Sequence, residues 1–229
     1  YVREQENGLI MLNGEESFGL GGYYRTPIEE ALPITMEMKQ KIEIPNLAMV
    51  RPGDANETAY AWKAILENPE GPKGIALTRQ NIPVLEGTSA DGVARGGYVL
   101  ADASNGEPEL VIIGTGSELQ IAVDAREVLE GDGIPTRVVS MPCMDWFAAQ
   151  DQAYRDSVLP PSVRARVSVE AGIAMPWYRW VGDAGEIVSI EHYGASADYQ
   201  TLFREFGFTT EHVVTAARTS LDRVSPTIV

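Results

Sequence analysis

The chain has little that is basic, little that is redox-active and little that could cross a membrane. Its 229 residues hold 18 Lys and Arg against 33 Asp and Glu, a net charge of -15. Such an excess opposes binding to phosphate backbones and to anionic membrane surfaces, so neither a nucleic acid nor a membrane is expected as a partner. One cysteine, Cys143, excludes an intrachain disulfide. Only two histidines occur, His192 and His212, and neither has a second His or Cys at ligand spacing, so a zinc site is not expected. Apolar runs are a few residues long, too short for a membrane-spanning helix. The polar start, Tyr1 to Glu6, lacks the order of a signal peptide. The first residue is Tyr rather than Met, which suggests a trimmed piece. An acidic cytoplasmic protein that handles small molecules is the default expectation.

What is present is a core-forming composition, 44% hydrophobic, in two blocks of alternating strand and helix patterns. Such alternation predicts an α/β fold, doubly wound, with mostly parallel sheets flanked by helices. The first block covers residues 1–87 and the second residues 109–229. Residues 88–108, rich in Gly, Ala, Ser and Asp, read as a surface linker, with an edge strand possible around Gly96 to Leu100.

In the first block, Gly8 to Leu12 and Leu47 to Val50 are expected strands. Asp54 is an expected N-cap with Glu57 as its capping-box partner. Ala55, Ala59, Trp62 and Leu66 are the expected apolar face of that helix. Gly74 to Thr78 is an expected strand that presents Arg79 at its tip. An arginine there is either an anion clamp or an ion pair with one of the many carboxylates.

In the second block, Leu110 to Ile113 leads into Gly114-Thr115-Gly116-Ser117, read as a tight turn with Ser117 capping a helix and Gln120 as its box partner. A phosphate at that helix start is the alternative, without a full dinucleotide or P-loop motif. Ile121, Ala122, Ala125, Val128 and Leu129 are the expected buried face. Pro135 to Ser140, Val163 to Val169 and Ile187 to Ile190 are expected strands, the second half-buried. Tyr199 to Phe206 is an expected helix closed by Gly207, and Val213 to Leu221 a last helix. Cys143 is expected to be buried and inert. His192 could line a cleft, and His212 should face solvent. Trp62, Trp177 and Trp180 read as packing residues, and their amphipathic rings would suit a subunit interface as well.

Several runs together resemble the carboxyl-terminal half of transketolases. They include Arg51-Pro52-Gly53-Asp54, Thr78-Arg79-Gln80, Ile113-Gly114-Thr115-Gly116-Ser117-Glu118, Val139-Ser140-Met141-Pro142, Val169-Glu170-Ala171-Gly172 and Gly194-Ala195-Ser196-Ala197. The resemblance covers about residues 45–221. It implies transfer of a two-carbon ketol unit between sugar phosphates in the pentose phosphate pathway. It also implies thiamine diphosphate and a divalent metal, Mg or Ca, as cofactors, held mainly by parts of the enzyme absent from this chain. The first block then reads as a partial pyrimidine-binding central domain, with residues 1–44 atypical, and the second as the C-terminal domain.

By the same resemblance, Arg79 binds the phosphate of the substrate, and the partner is a second copy or a complementing cofactor-binding subunit. Upstream, the chain departs from the family: Glu15 stands where a phosphate-binding histidine is expected, and Thr26 where a catalytic histidine precedes a proline. No catalytic, cofactor-binding or metal-binding residue is therefore assigned, and the chain alone is expected to be inactive. A non-catalytic dimerisation or regulatory module is the competing expectation. Gly14 to Gly19 is also similar to the sugar-binding loop of phosphohexomutases over six residues.

Overall fold

The computed structural model describes residues 47–68 and 70–224. The expected strand at Gly8 to Leu12, and Glu15 and Thr26, lie outside these residues. A first βαβ unit pairs strand β1 (Ala48–Val50) in parallel with β2 (Lys73–Ile75). Between them runs helix α1 (Ala55–Glu67). Its start obeys the sequence: Asp54 Oδ1 accepts the amide of Glu57 at 2.7 Å. Its buried face does not. Glu57, Ala61 and Ala64 are buried, whereas Trp62 and Leu66 are 48% and 74% exposed. The expected strand over Gly74 to Thr78 is shorter and earlier, ending at Ile75.

The larger sheet has five strands in the order β3-β5-β4-β6-β7. These are β3 (Tyr98–Ala101), β4 (Leu110–Gly114), β5 (Thr136–Ser140), β6 (Ala165–Val169) and β7 (Glu186–Val188). All pair in parallel except β3, an antiparallel edge strand on β5. Thus residues 88–108 are more than a connection: they hold helix α2 (Ala90–Ala94) and β3, with Val93 and Tyr98 buried.

Both faces of this sheet are covered, as a parallel sheet requires. On β4, Leu110 and Ile112 face one core with Val138 and Val167. Helix α3 (Leu119–Gly131) packs there with the last helix, described below as α8. On the same strand, Val111 and Ile113 face a second core with Val139, Phe147 and Trp177. Short helices cover that side: α4 (Met144–Ala148), α5 (Gln152–Val158) and α6 (Tyr178–Val181). Two-sided cover also explains β6. Its alternation predicts a half-buried strand, yet Ser168 is buried with Ala165, Val167 and Val169.

The chain closes with α7 (Tyr199–Glu205) and α8 (Thr210–Val224). Gly207 has φ 79°, the left-handed conformation expected of a glycine after a helix. None of the described helices is long and apolar enough to cross a membrane.

Candidate functional site

Strand order places a crevice at the carboxyl end of β4. From β4 the chain moves to β5 on one side and then to β6 on the other. Open α/β sheets receive ligands at such a reversal. Here the turn after β4 carries Gly116 at φ 59°, and its amide donates to the Arg51 carbonyl at 3.1 Å. The Arg51 amide in turn donates to the Pro142 carbonyl at 2.7 Å, at the end of β5. The backbone after β1 is therefore stitched into the crevice, and the Arg51 side chain fills it.

The Arg51 guanidinium bonds two carboxylates. Its Nη2 donates to Glu118 Oε2 at 3.0 Å, and its Nη1 donates to Glu170 Oε1. Glu118 is 1% exposed and Glu170 14%, while Arg51 keeps 26%. The remaining oxygens are satisfied too. Ser117 Oγ donates to Glu118 Oε1 at 2.8 Å, and Trp177 Nε1 donates to Glu170 Oε2 at 2.7 Å. Burial works against the Arg51 charge, yet the two carboxylates hold its pKa above the ordinary guanidinium value. Beside this cluster lies a cavity of about 260 Å³, lined by Met49, Arg51, Met141, Asp145 and Glu170 among others.

This geometry revises the reading of Gly114-Thr115-Gly116-Ser117. Ser117 does not cap a helix; it sits inside a 3-10 turn over Gly116–Glu118, and α3 begins at Leu119. A Cβ on Gly116 would stand 3.0 Å from Arg51 Nη2. The turn is shaped to receive the protein's own arginine rather than a phosphate.

A second buried carboxylate sits beneath α1. Glu57 is fully buried and accepts three hydrogen bonds: from Gly53 N at 2.6 Å, Tyr98 Oη at 2.6 Å and Ser140 Oγ at 2.5 Å. Burial raises its pKa, against the pull of those three donors. The sequence makes Glu57 a capping-box partner of Asp54; in the structure its carboxylate reaches back one residue further, to Gly53, and also ties α1 to β3 and β5.

Arg79 lies on the exposed surface four residues beyond the end of β2, rather than at the tip of a strand. Among the described residues it has no carboxylate partner. Neither histidine joins it. His192 is exposed, with Nδ1 2.8 Å from the Tyr193 carbonyl and its ring edge-on to Phe206. His212 is exposed beside Gly207. Cys143 is buried, and burial pushes its thiol up to about 11. Trp177 and Trp180 pack in the core as expected, whereas Trp62 does not. Among the described residues, no group of three or more His, Cys, Asp or Glu could hold a metal ion.

Sequence reasoning places Arg51, Glu118 and Glu170 in three separate motifs without joining them. The signal was present, since one arginine and two acids stand where strands end. The pairing itself, across 67 and 119 residues, is a product of topology.

Comparison with known proteins places this architecture. A family model described as "Transketolase-like TK C-terminal domain" matches residues 96–209. The transketolase of Mycobacterium leprae is 57% identical over 214 residues, covering 90% of this chain and 30% of the relative. Transketolase 7 of Craterostigma plantagineum is 45% identical, covering 92% of this chain and 31% of the relative. Among solved structures, transketolase from Leishmania mexicana matches with a TM-score of 0.74 and 39% identity, over 79% of this chain and 26% of that one. The chain thus spans about 30% of the length of the curated relatives it matches.

Proposed function

Because the chain belongs to the transketolase family, matching the carboxyl-terminal part of its relatives, we propose that it is part of a thiamine-diphosphate-dependent transferase. That enzyme moves a two-carbon ketol unit between sugar phosphates in the cytoplasm. The observation that carries the reading is 57% identity over 214 residues, which cover 90% of the chain.

Residues 1–87 are read as the remainder of a pyrimidine-binding domain, and the C-terminal domain as starting before residue 109, since β3 (Tyr98–Ala101) is an edge strand of its sheet and the family model matches from residue 96. Thiamine diphosphate and its metal are held mainly by other parts of the enzyme, as the likeness to transketolases implies. When bound, that cofactor stabilises the carbanion that a ketol transfer must pass through. What this chain contributes is binding and orientation.

Arg79 takes the substrate phosphate. Its guanidinium is exposed and has no ion pair among the described residues, so its donor fork is available to a dianion without displacing a carboxylate. A dimer or a complementing subunit supplies the cofactor site. The exposed apolar side chains of α1, Trp62 and Leu66, fit burial against such a part. The same exposed face would serve a non-catalytic dimerisation module, the second reading.

A coupled assay with xylulose 5-phosphate, ribose 5-phosphate, thiamine diphosphate and magnesium separates the two. The isolated chain is expected to show no turnover, and a complementing cofactor-binding part to restore it. Turnover by the chain alone would sink the claim that it is incomplete. A complemented complex that stays inactive would favour the dimerisation module.

A further inference from the structure

The described residues include twelve arginines, and eight of them form ion pairs. The four without a carboxylate partner among the described residues are Arg79, Arg155, Arg166 and Arg179. Three of those four line a single cavity of about 300 Å³ between α5, α6 and β6. In a chain of net charge -15, that clustering is the reverse of what the composition predicts. Among the described residues lining the cavity the only carboxylate is Asp156, and its Oδ1 already accepts from Gln152 Nε2 at 2.6 Å. The lining therefore carries three positive charges against one negative.

The arginines are held open rather than collapsed on acids. Arg166 is anchored by backbone carbonyls: Val163 at 2.9 Å, Trp180 at 2.8 Å, Leu159 at 3.2 Å and Pro160 at 2.9 Å. These bonds use four of its five N–H donors and leave one on Nη1. Burial pushes its pKa down, and the charge of Asp156 opposes that push without reversing it. Arg155 is fixed by the Ala148 and Gln150 carbonyls and by Gln152, leaving Nε–H and one Nη2–H. Arg179 makes no hydrogen bond to the described residues; its guanidinium lies 4.8 Å from the Trp180 ring centre. Phe147 and Trp180 complete an apolar floor.

We propose that this cavity is a binding site for a small phosphate-bearing dianion, gripped by Arg155, Arg166 and Arg179. Backbone carbonyls orient two guanidiniums without neutralising them, and the third is stacked in place on an indole. That arrangement pre-organises donors for an anion and leaves its charge to be supplied from outside. The site lies on α5, α6 and β6 and stands independently of the role given to Arg79.

The test is a titration of the full chain with inorganic phosphate at constant ionic strength, followed by 15N NMR of the arginine Nε and tryptophan Nε1 signals. Saturable shifts at Arg179 and Trp180 are expected. R179E, which removes no hydrogen bond of the fold, should weaken binding about tenfold or more, as loss of one charge-assisted contact does. R155Q should weaken it as well, and R79Q should leave it unchanged. Repeating the titration with ribose 5-phosphate shows whether free phosphate or a phosphorylated metabolite is preferred. Shifts that do not saturate, that chloride reproduces, or that survive R179E would overturn the proposal. So would binding abolished by R79Q alone, since the ion would then belong to the surface around Arg79.

Discussion

Glu57 shows how one side chain can decide a helix. It is buried without a cation, so its three donors carry its whole stabilisation. Glu57→Ala would strand two hydroxyls and an amide, and should cost about 3 kcal/mol, read as a fall in urea midpoint. The pH dependence has a definite sign. The folded pKa is raised above the unfolded value, so folding favours the protonated form. Its stabilising contribution is complete below the ordinary glutamate pKa and is lost as pH climbs through the raised one. Unfolding of Glu57→Gln, followed over that window, should lack the loss that the wild type shows. Cys143 offers a simpler check. With its thiol pushed up to about 11 and buried, it should resist iodoacetamide at pH 8 in the native protein and react once urea unfolds the chain. Of these residues, the Asp54 cap and the buried cysteine were legible in sequence because their causes are local. The partners of Glu57, 41 and 83 residues away, were not.

At the scale of elements, the order of the main strands and long helices was legible, whereas the short helices α2, α4, α5 and α6 were not, and faces were less so than order. On α1 the spacing of Ala55, Ala59, Trp62 and Leu66 marks an apolar stripe, yet the helix buries Glu57, Ala61 and Ala64. Periodicity scores a glutamate as solvent-facing; here hydrogen bonds from other elements draw it inward. On α3 the stripe is the buried one, with Val128 left half-exposed at its margin. The turn before α3 defeats a local reading because a serine two residues from a helix resembles a cap, whereas the turn is set by Arg51. This can be tested at Gly116. Its φ of 59°, and a guanidinium nitrogen 3.0 Å from where an added Cβ would stand, make Gly116→Ala strained twice over. A loss of about 1–2 kcal/mol in thermal or urea unfolding is expected. Arg51→Ala removes the counter-ion of Glu118 and should cost more, about 3 kcal/mol, since a buried carboxylate is left with one hydroxyl. Arg51→Lys should recover only part, because one ammonium cannot reproduce a fork that reaches two acids.

Across the whole molecule, the family resemblance was legible from short runs at element ends, where strands hand over to loops and residue identity is most constrained. The extent of the match agrees with it: about nine-tenths of this chain corresponds to less than a third of the Mycobacterium leprae and Craterostigma plantagineum relatives. On the role proposed for Arg79, Arg79→Gln in the complete enzyme should raise KM for the sugar phosphate about 10- to 100-fold with a smaller change in kcat, the effect of losing a charge-assisted bond of about 1.5–3 kcal/mol to a substrate phosphate. Equal kinetics for wild type and variant would remove Arg79 from the site. The crevice at the end of β4 carries a different consequence, for inhibitor chemistry. The protein has seated its own guanidinium between Glu118 and Glu170, so an anionic compound entering there meets two acids, and a neutral one must evict an arginine and leave both unpaired. A molecule that brings an amidinium of its own could take that seat, and in doing so it would leave the β1 segment tied to the five-stranded sheet by its backbone hydrogen bonds rather than by its ion pairs.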